Sequence, residues 1–592
     1  MAWGPAPVVS EESLKLWEKY FGKNFYAFEH GGCRFIIVDA QIINTRLAAE
    51  DLQRAWLEGE LARDRDGRTF LFLHYPPYLH DRDEDEHYDN IAEPGRAWLL
   101  DLIARSGPEA LFAGHVHNFW YNRFAGTDCY VVPSVGFVRS DFAELFRVEP
   151  AAEFGRNDAA KLGFFLIDVY ERGHAFRLVR TGGRTADPDA PAAAVLVPAA
   201  RAAPRARPTV GVELRQSWAD ATEITASGHP DEFGRKRARN DYALLALQEM
   251  GIAKLRVPLQ NLDDPETRAR MREFMALGHA FTVRAFGAPD AGLAAFLGAH
   301  RDLVRGIELV NTQAAFATAA GAIRRFKDAA SVRVHLSPLR TKRGDAAAAR
   351  GAFIINHGVH HGFTARDAET AGELVKASGL ASAVDGLVFR IVREASVWDE
   401  IATVTVRLAA TESPAEAVRN DLEHANRVSE AVVAAAAFPE IDVFIDTLAD
   451  IDRGYFVRNG LVDRLYNPRL AAVVVRHLNE ALARIEGDLA LGPKLAMAGC
   501  RVCAFRSPDA HRALILPDRA LTLAEIALPG VGAGATGEGT VTRLDSGVVA
   551  RIRWRRHGTG SEAGFRFARP LQCDAPALLT IPASANAPAP HR

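Results

Sequence analysis

Cysteine is scarce in this sequence. Five cysteines in 592 residues cannot make the dense bridge pattern of a small secreted scaffold. Cys33, Cys129 and Cys573 stand alone, and Cys500-x-x-Cys503 lacks the second pair that a structural zinc site needs. All five therefore read as ordinary buried thiols. No stretch approaches the roughly 20 apolar residues of a membrane span. The opening MAWGPAPVVSEESLKLW has no charged segment followed by an apolar one, so it does not read as a signal peptide. Neither sign of charge is in excess: 71 Lys and Arg face 74 Asp and Glu, a formal net charge of -3. This leaves no basic footprint for nucleic acid and no acidic tail. The compartment is not fixed by any of these features; a soluble, cytoplasmic protein is the default expectation.

The remaining balance, 48% hydrophobic and 24% charged, is that of a globular chain. Its length exceeds what one hydrophobic core serves, so several domains are expected. Residues 1–183 read as mixed α/β. CRFIIVDAQ (33–41) and TFLFLHYPPY (69–78) are strands by their apolar, β-branched or aromatic runs. LAAEDLQRAWLEGELAR (47–63) and GRAWLLDLIARSG (95–107) are helices, the second closed by glycine. ALFAGHVH (110–117) is a strand running into a loop. Residues 184–208, rich in Ala and Pro, read as a linker. From 209 to 490 short apolar runs alternate with helical stretches: TVGVELR, KLRVPL, FTVRAF, GIELVN, VRVHLS, FIINHG, GLVFRIV and IDVFID. Eight such units predict a (β/α)8, TIM-like barrel. Residues 491–592 are short alternating strands split by Gly and Pro, which predicts a small β-sandwich.

Two motifs in the first segment carry chemistry. His74 ends the strand TFLFL, and Gly114-His115-Val116-His117 follows the strand ALFA. A strand end is rigid and the loop after it is accessible, which suits an imidazole that must hold a metal. Imidazole is a good ligand for Zn, Mn or Fe. Taken alone, each histidine reads as structural or simply exposed. His80, Asp81, Asp83, Asp85 and His87 form a polar run that reads as a solvated loop or as a rim for substrate. Asn118 and Tyr121, just past GHVH, are candidates for the same mouth, together with His80.

These residues resemble the C-terminal half of a calcineurin-like metallophosphoesterase domain. That family carries, in order, D-x-H, G-D-x-x-D, G-N-H-D/E, a lone His after a strand and G-H-x-H. FLHYPP and AGHVH match the last two. YFGKNFYAFEHGGCRFIIVDAQ, LQRAWLEGEL and HYDNIAEPGRAWLLDLI are similar to the stretches that surround them, and the likeness covers about residues 17–140. The resemblance implies part of an αββα sandwich and hydrolysis of a phosphomonoester or phosphodiester by a hydroxide held between two divalent ions, Mn, Fe or Zn. It implies His74 and His115 as ligands of one metal and His117 as a ligand of the other. No D-x-H, G-D-x-x-D or G-N-H-D/E precedes Trp17. The segment is therefore expected to be an N-terminally truncated or decayed domain, short of its carboxylate ligands and inactive as written if nothing replaces them.

The barrel offers a second reading. Its strands place Glu213, Arg256, Arg284, Glu308, Asn311, His335, His357, Arg390 and Asp446 toward the end where barrel active sites sit. Two acids such as Glu308 and Asp446 suit the acid and base of a glycosidase, which would make the chain a carbohydrate-binding or glycosidase-like protein. Glu213 and Arg256 join them as candidate barrel residues. INHGVHHGF, with His357, His360 and His361, reads as a polar loop.

Overall fold

The structure, a computed structural model, describes residues 9–63, 68–139, 158–182, 210–214, 217–225, 234–339, 361–391, 396–403, 411–412, 420–452, 457–458, 460–528, 536–558 and 564–583. The expected linker 184–208, the run FIINHG, His357 and His360 lie outside them. The chain divides into two compact units, Met1–Val197 with Trp218–Leu245, and Pro198–Ser217 with Ala246–Arg592.

In the first unit, α1 (Glu11–Phe21) starts at a capping box on Ser10 and buries none of its residues. A six-stranded sheet follows, in the order β1-β2-β3-β4-β6-β5. Its strands are β1 (Tyr26–His30), β2 (Cys33–Ile37), β3 (Arg68–Leu73), β4 (Ala110–Ala113), β5 (Trp120–Phe124) and β6 (Thr127–Val131). β2, β3, β4 and β6 are parallel, and β1 and β5 are antiparallel edges. The crossovers are α2 (Ala48–Ala62) and α3 (Gly95–Ser106). Strand alternation sends Ile36, Leu71 and Leu111 to one face, where they pack with Leu57, Leu61, Leu99 and Ile103 of the helices. Phe70, Phe112 and Tyr130 take the other face. There β7 (Gly163–Val169) and β8 (His174–Arg180) cover them, with Phe176 5.7 Å from Tyr130 and His174 5.8 Å from Phe70. The layers are thus helix, sheet and hairpin. The second helical layer of the expected αββα sandwich is not found among the described residues.

Ion pairs clamp this layering. Arg68 at the start of β3 holds Glu109 with two hydrogen bonds (2.5 and 2.6 Å), and His174 Nδ1 lies 2.7 Å from the same carboxylate. Burial pushes the Glu109 carboxyl up, but His174 and Arg68 outweigh it and bring it down to about 2. Glu84 is similar: burial opposes, while His87, Asn90 and the His80 N–H hold it at about 2. A carboxyl whose folded pKa is depressed adds stability above its unfolded value, and that stability is lost as pH falls toward the folded value. Each group is expected to contribute about 2 kcal/mol at neutral pH after allowance for screening. Urea unfolding of the full chain is expected to show this loss between pH 4.5 and 2. Glu109→Gln should flatten part of that limb, and an unchanged limb would refute the assignment.

Past β9 (Gly211–Glu213), which belongs to the second unit, the chain forms a hairpin of β10 (Ala221–Thr225) and β11 (Arg235–Arg239). The sequence boundaries assigned residues 218–245 to the barrel, yet this segment groups with the first unit. The reason lies in buried charge. Arg239 pairs with Asp241 at 2.7 Å and donates to the Tyr121 carbonyl (3.0 Å) and the Asn122 side chain (2.8 Å), and Lys236 pairs with Asp89.

The second unit is built on eight parallel strands: β9, β12 (Lys254–Pro258), β13 (Ala280–Phe286), β14 (Val304–Asn311), β15 (Arg333–Pro338), β16 (Gly386–Leu387), β17 (Thr411–Glu412) and β18 (Phe444–Asp446). They pair in the order β16-β15-β14-β13-β12-β9-β18-β17, so strands consecutive in the chain are sheet neighbours except at β16 and β17, and the last strand returns to the first. Among the described residues no ladder joins β16 to β17. The strand Thr411–Glu412 was not read in the sequence, being only two residues long. Helices such as Pro265–Ala276, Asp421–Ala437 and Leu470–Ala483 lie between strands. A short pair, β19 (Ile451–Asp452) and β20 (Val457–Arg458), follows β18.

The C-terminal strands are β21 (Ala490–Met497), β22 (Cys500–Ser507), β23 (Ala510–Pro517), β24 (Leu521–Ala527), β25 (Thr536–Arg543), β26 (Val549–His557), β27 (Gly564–Cys573) and β28 (Ala577–Pro582). They form one continuous antiparallel ladder, β21-β22-β23-β28-β25-β26-β27-β24, rather than the two separate sheets expected of a sandwich. Its buried alternation, with Val502, Ile515, Ile526, Trp554, Phe565 and Leu579, closes on one core cluster. Cys500 and Cys573 sit in that cluster, and burial raises both thiols, Cys573 to about 11. Among the described residues no helix is long and apolar enough to cross a membrane.

Candidate functional site

The parallel strands β3 and β4 lie side by side, so the residues just past their C-terminal ends meet. The Gly114 N–H donates to the His74 carbonyl at 2.9 Å. The next turn is tight: the Val116 N–H returns to the Gly114 carbonyl at 2.7 Å. His115 and His117 both take left-handed backbone conformations, with φ of 66° and 59°. Non-glycine residues rarely adopt this region, and where they do the surroundings hold them there, often at functional sites.

The turn brings His115 Nδ1 to 3.2 Å from His74 Nε2. Two nitrogens bound to one ion at about 2.1 Å are separated by roughly 3.0–3.4 Å, so this pair has the spacing of adjacent ligands on one metal. On its far side His115 Nε2 lies 3.0 Å from the Tyr88 carbonyl and 3.8 Å from Asp89 Oδ1. Burial pulls the His115 imidazole down to about 4, with Asp89 opposing, and partial burial lowers His74 as well. Both rings are therefore neutral at pH 7, the ligand form. His117 does not join them; its ring packs edge-on to Phe137 at 4.2 Å.

Asp89 is the residue the motifs did not point to. Its side chain is fully buried, as is that of Lys236, which pairs with it from β11. Arg139 Nη1 reaches the same carboxylate at 2.6 Å. Asp89 lies just past the polar run that ends at His87, but Lys236 is 147 positions away, so no local pattern could join them.

The two-metal centre implied by the resemblance does not fit these residues. Among the described residues no group of three or more His, Cys, Asp or Glu side chains is placed to hold a metal. Asp89, 3.8 Å from His115, sits behind Nε2 and is held by Arg139 and Lys236. The donor set fits one ion held by two imidazoles.

The expected substrate contacts are also revised. Asn118 and Tyr121 are fully buried. Asn118 accepts from the Tyr242 hydroxyl at 3.2 Å, and the Tyr121 hydroxyl donates to Asp128 at 2.9 Å. Both are packing residues, Tyr121 on β5 and Asn118 just before it. The His80 backbone N–H caps Glu84 at 2.9 Å.

In the parallel sheet of the second unit, register places Arg256 beside Glu213 and Arg284 beside Glu308. Arg256 donates to Glu213 at 2.7 Å and to Glu308 at 3.0 Å, and Arg284 holds Glu213 at 2.5 and 3.0 Å. His361 Nδ1 lies 3.0 Å from Glu308 and 2.7 Å from the Ser337 hydroxyl. Asp446 is fully buried nearby in the strand order. Burial opposes ionisation of Glu308, but Arg284 and Arg256 hold it well below the usual carboxylate range. A glycosidase general acid needs the opposite shift, so the geometry does not favour Glu308 in that role.

No family model matches the chain. It is similar to the serine/threonine-protein phosphatase CPPED1 of Rattus norvegicus, 28% identical over 141 residues, which cover 22% of this chain and 44% of the relative. The Homo sapiens protein of that name is 27% identical over 139 residues (22% and 43%), and that of Danio rerio 26% over 155 residues (25% and 49%). The chain spans less than half the length of these curated relatives. Among solved structures it is similar to a family 39 glycoside hydrolase of Bacteroides cellulosilyticus WH2, with 10% identity, a TM-score of 0.39 and coverage of 61% of this chain and 87% of that one. A GH30 endoxylanase of Clostridium papyrosolvens C71 gives 12% identity, a TM-score of 0.36 and coverage of 58% and 92%.

Proposed function

We propose that the chain is a hydrolase whose first unit binds a phosphoester beside a metal ion held by His74 and His115. The observation that carries this reading is the 3.2 Å separation of His74 Nε2 and His115 Nδ1 at adjacent strand ends. The similarity to phosphatases supports it, as does the neutral state of both imidazoles. A bound divalent ion would supply positive charge for phosphoryl oxygens and acidify water. The chain's own part is to fix the two rings: β3 and β4 set their spacing, the Tyr88 carbonyl accepts from His115 Nε2–H, and Asp89 lies behind it. With the proton on Nε2, the Nδ1 lone pair faces His74. His117, assigned to a second ion by the resemblance, is not part of this pair. The closed (β/α)8 barrel, with its seam between β16 and β17 joined, is proposed as the scaffold of the second unit, and a carbohydrate ligand there is the secondary reading.

Elemental analysis and calorimetric titration of the full chain with Mn²⁺ and Zn²⁺ test the site. The expected result is one equivalent, with p-nitrophenyl phosphate turnover following its occupancy. Two equivalents would show that carboxylates elsewhere complete a dinuclear centre, and none would overturn the reading.

A further inference from the structure

The four C-terminal strands β24, β25, β26 and β27 carry seven arginines and two glutamates. β26 shows why the cations gather on one side. Ile552 and Trp554 are buried, so alternation turns Arg551, Arg553 and Arg555 outward, and all three are exposed. Ion pairs account for part of the charge. Glu538 on β25 holds Arg553 at 3.0 Å, and Glu525 on β24 holds Arg566 of β27 at 2.9 Å. Arg543 is held by Asp545 at 2.6 Å and Asp574 at 2.8 Å. Arg556 alternates to the other side and is partly buried. Arg551, Arg555 and Arg569 remain, exposed and with no acid at ion-pair distance among the described residues. Register adds a second observation. Arg555 lies directly opposite Arg566, and like charges so placed weaken a sheet. Thr540 lies opposite Arg551 and Thr536 opposite Arg555, so hydroxyls flank the guanidinium row.

We infer that this sheet face binds an acidic polysaccharide, whose carboxylates or sulfates take the arginines and whose hydroxyls take the threonines. The guanidinium fork matches a planar carboxylate with two parallel hydrogen bonds. Charge spacing favours a sparse polyanion over nucleic acid. Guanidiniums repeat about every 6.8 Å along β26, and Arg551 and Arg555, the two without an acid, are about 14 Å apart. Duplex DNA carries one charge per about 1.7 Å, several times denser. An acidic polysaccharide carries one charge per sugar or per second sugar. Proteins that hold single strands also stack the bases on aromatic rings, whereas Trp554, Phe565 and Phe567 all face the core here. A bilayer fits no better. Val548 and Val549 are exposed at the start of β26, but the turn before them is pinned to the helix Leu470–Ala483, with His477 Nδ1 2.8 Å from the Leu544 carbonyl.

Affinity electrophoresis of the full chain through polygalacturonate tests the inference, at about 50 mM salt, where exposed charges are weakly screened. The expected result is retardation that falls steeply by about 200 mM salt, as it does for other charge-held polyanions. A neutral dextran should give none. Arg551→Glu with Arg555→Glu should weaken binding at least about tenfold, since two contacts become repulsive. Both positions are exposed, so the urea midpoint of this variant should not fall below the parent's, which separates loss of a ligand from loss of the fold. A parent that migrates freely would overturn the inference. So would a charge-reversed variant retarded like the parent, or equal retardation in dextran. Tighter binding to single-stranded DNA or to phosphatidylserine vesicles would overturn it as well, because the occupant is then a different polyanion.

Discussion

His115→Ala is expected to lower the affinity of the full chain for Mn²⁺ or Zn²⁺ by at least about 100-fold, and metal-dependent phosphoester turnover with it. Groups that merely orient a ligand are worth about 10–100-fold, and His115 is itself one of two donors. His74→Ala should match it, because a single imidazole remains in either variant. His117→Ala should cost less than about tenfold, since its ring packs on Phe137 and lies outside the 3.2 Å pair. Asp89→Asn should fall between. It keeps the shape behind His115 Nε2 but leaves Lys236 and Arg139 facing a neutral amide. The four variants give an order, His115 and His74 first, Asp89 next, His117 last, read by elemental analysis and by turnover at saturating metal. Equal loss on His117→Ala would restore the two-ion reading. Full metal content in His115→Ala would remove the site from this pair of strands.

The parts of this arrangement visible in the sequence were those carried by local pattern. The runs TFLFL and ALFA are strands because their alternation fills both faces of a buried sheet, and a histidine at the end of each was read as a candidate ligand. Parallel neighbours then bring His74 to His115 with no further information. Asp89 and Lys236 were not legible, because an ion pair spanning 147 positions leaves no period in either segment. The same holds for the hairpin β10–β11, whose RKRAR is unremarkable as sequence and is placed by buried partners. Asn118, just before β5, and Tyr121, on it, are both fully buried, so nearness to GHVH along the chain did not make them part of an open mouth. Six of the eight C-terminal strands were legible from their alternation; β21 and β22 were not. Whether their ladder splits into two sheets depends on strand order, which alternation does not encode.

Arg256→Met is expected to destabilise the second unit by about 3–5 kcal/mol, the cost of stranding buried charge. The guanidinium is 1% exposed, bridges Glu213 and Glu308, and lies over the Phe444 ring at 4.9 Å. Barrel interiors are usually filled by layers of branched aliphatic side chains. Here β9, β12, β13 and β14 instead turn Glu213, Arg256, Arg284 and Glu308 toward one another. Arg284 can take over part of the charge on each acid, through Glu213 at 2.5 Å and Glu308 at 3.4 Å, which places the loss at the lower end of the range. Arg256→Lys should recover little, because one ammonium cannot fork between two carboxylates. Glu308→Gln separates the two uses of this cluster. If the network only holds the strands together, the amide keeps the shape, the unfolding midpoint falls, and no ligand is affected. If the barrel handles a sugar through Glu308, binding or turnover falls while the midpoint hardly moves. The depressed carboxyl and its two arginines favour the first outcome. Urea unfolding of the full chain, followed at the second unit's transition, measures it. An Arg256→Met protein that unfolds at the parent's urea concentration would mean that these charges stabilise nothing.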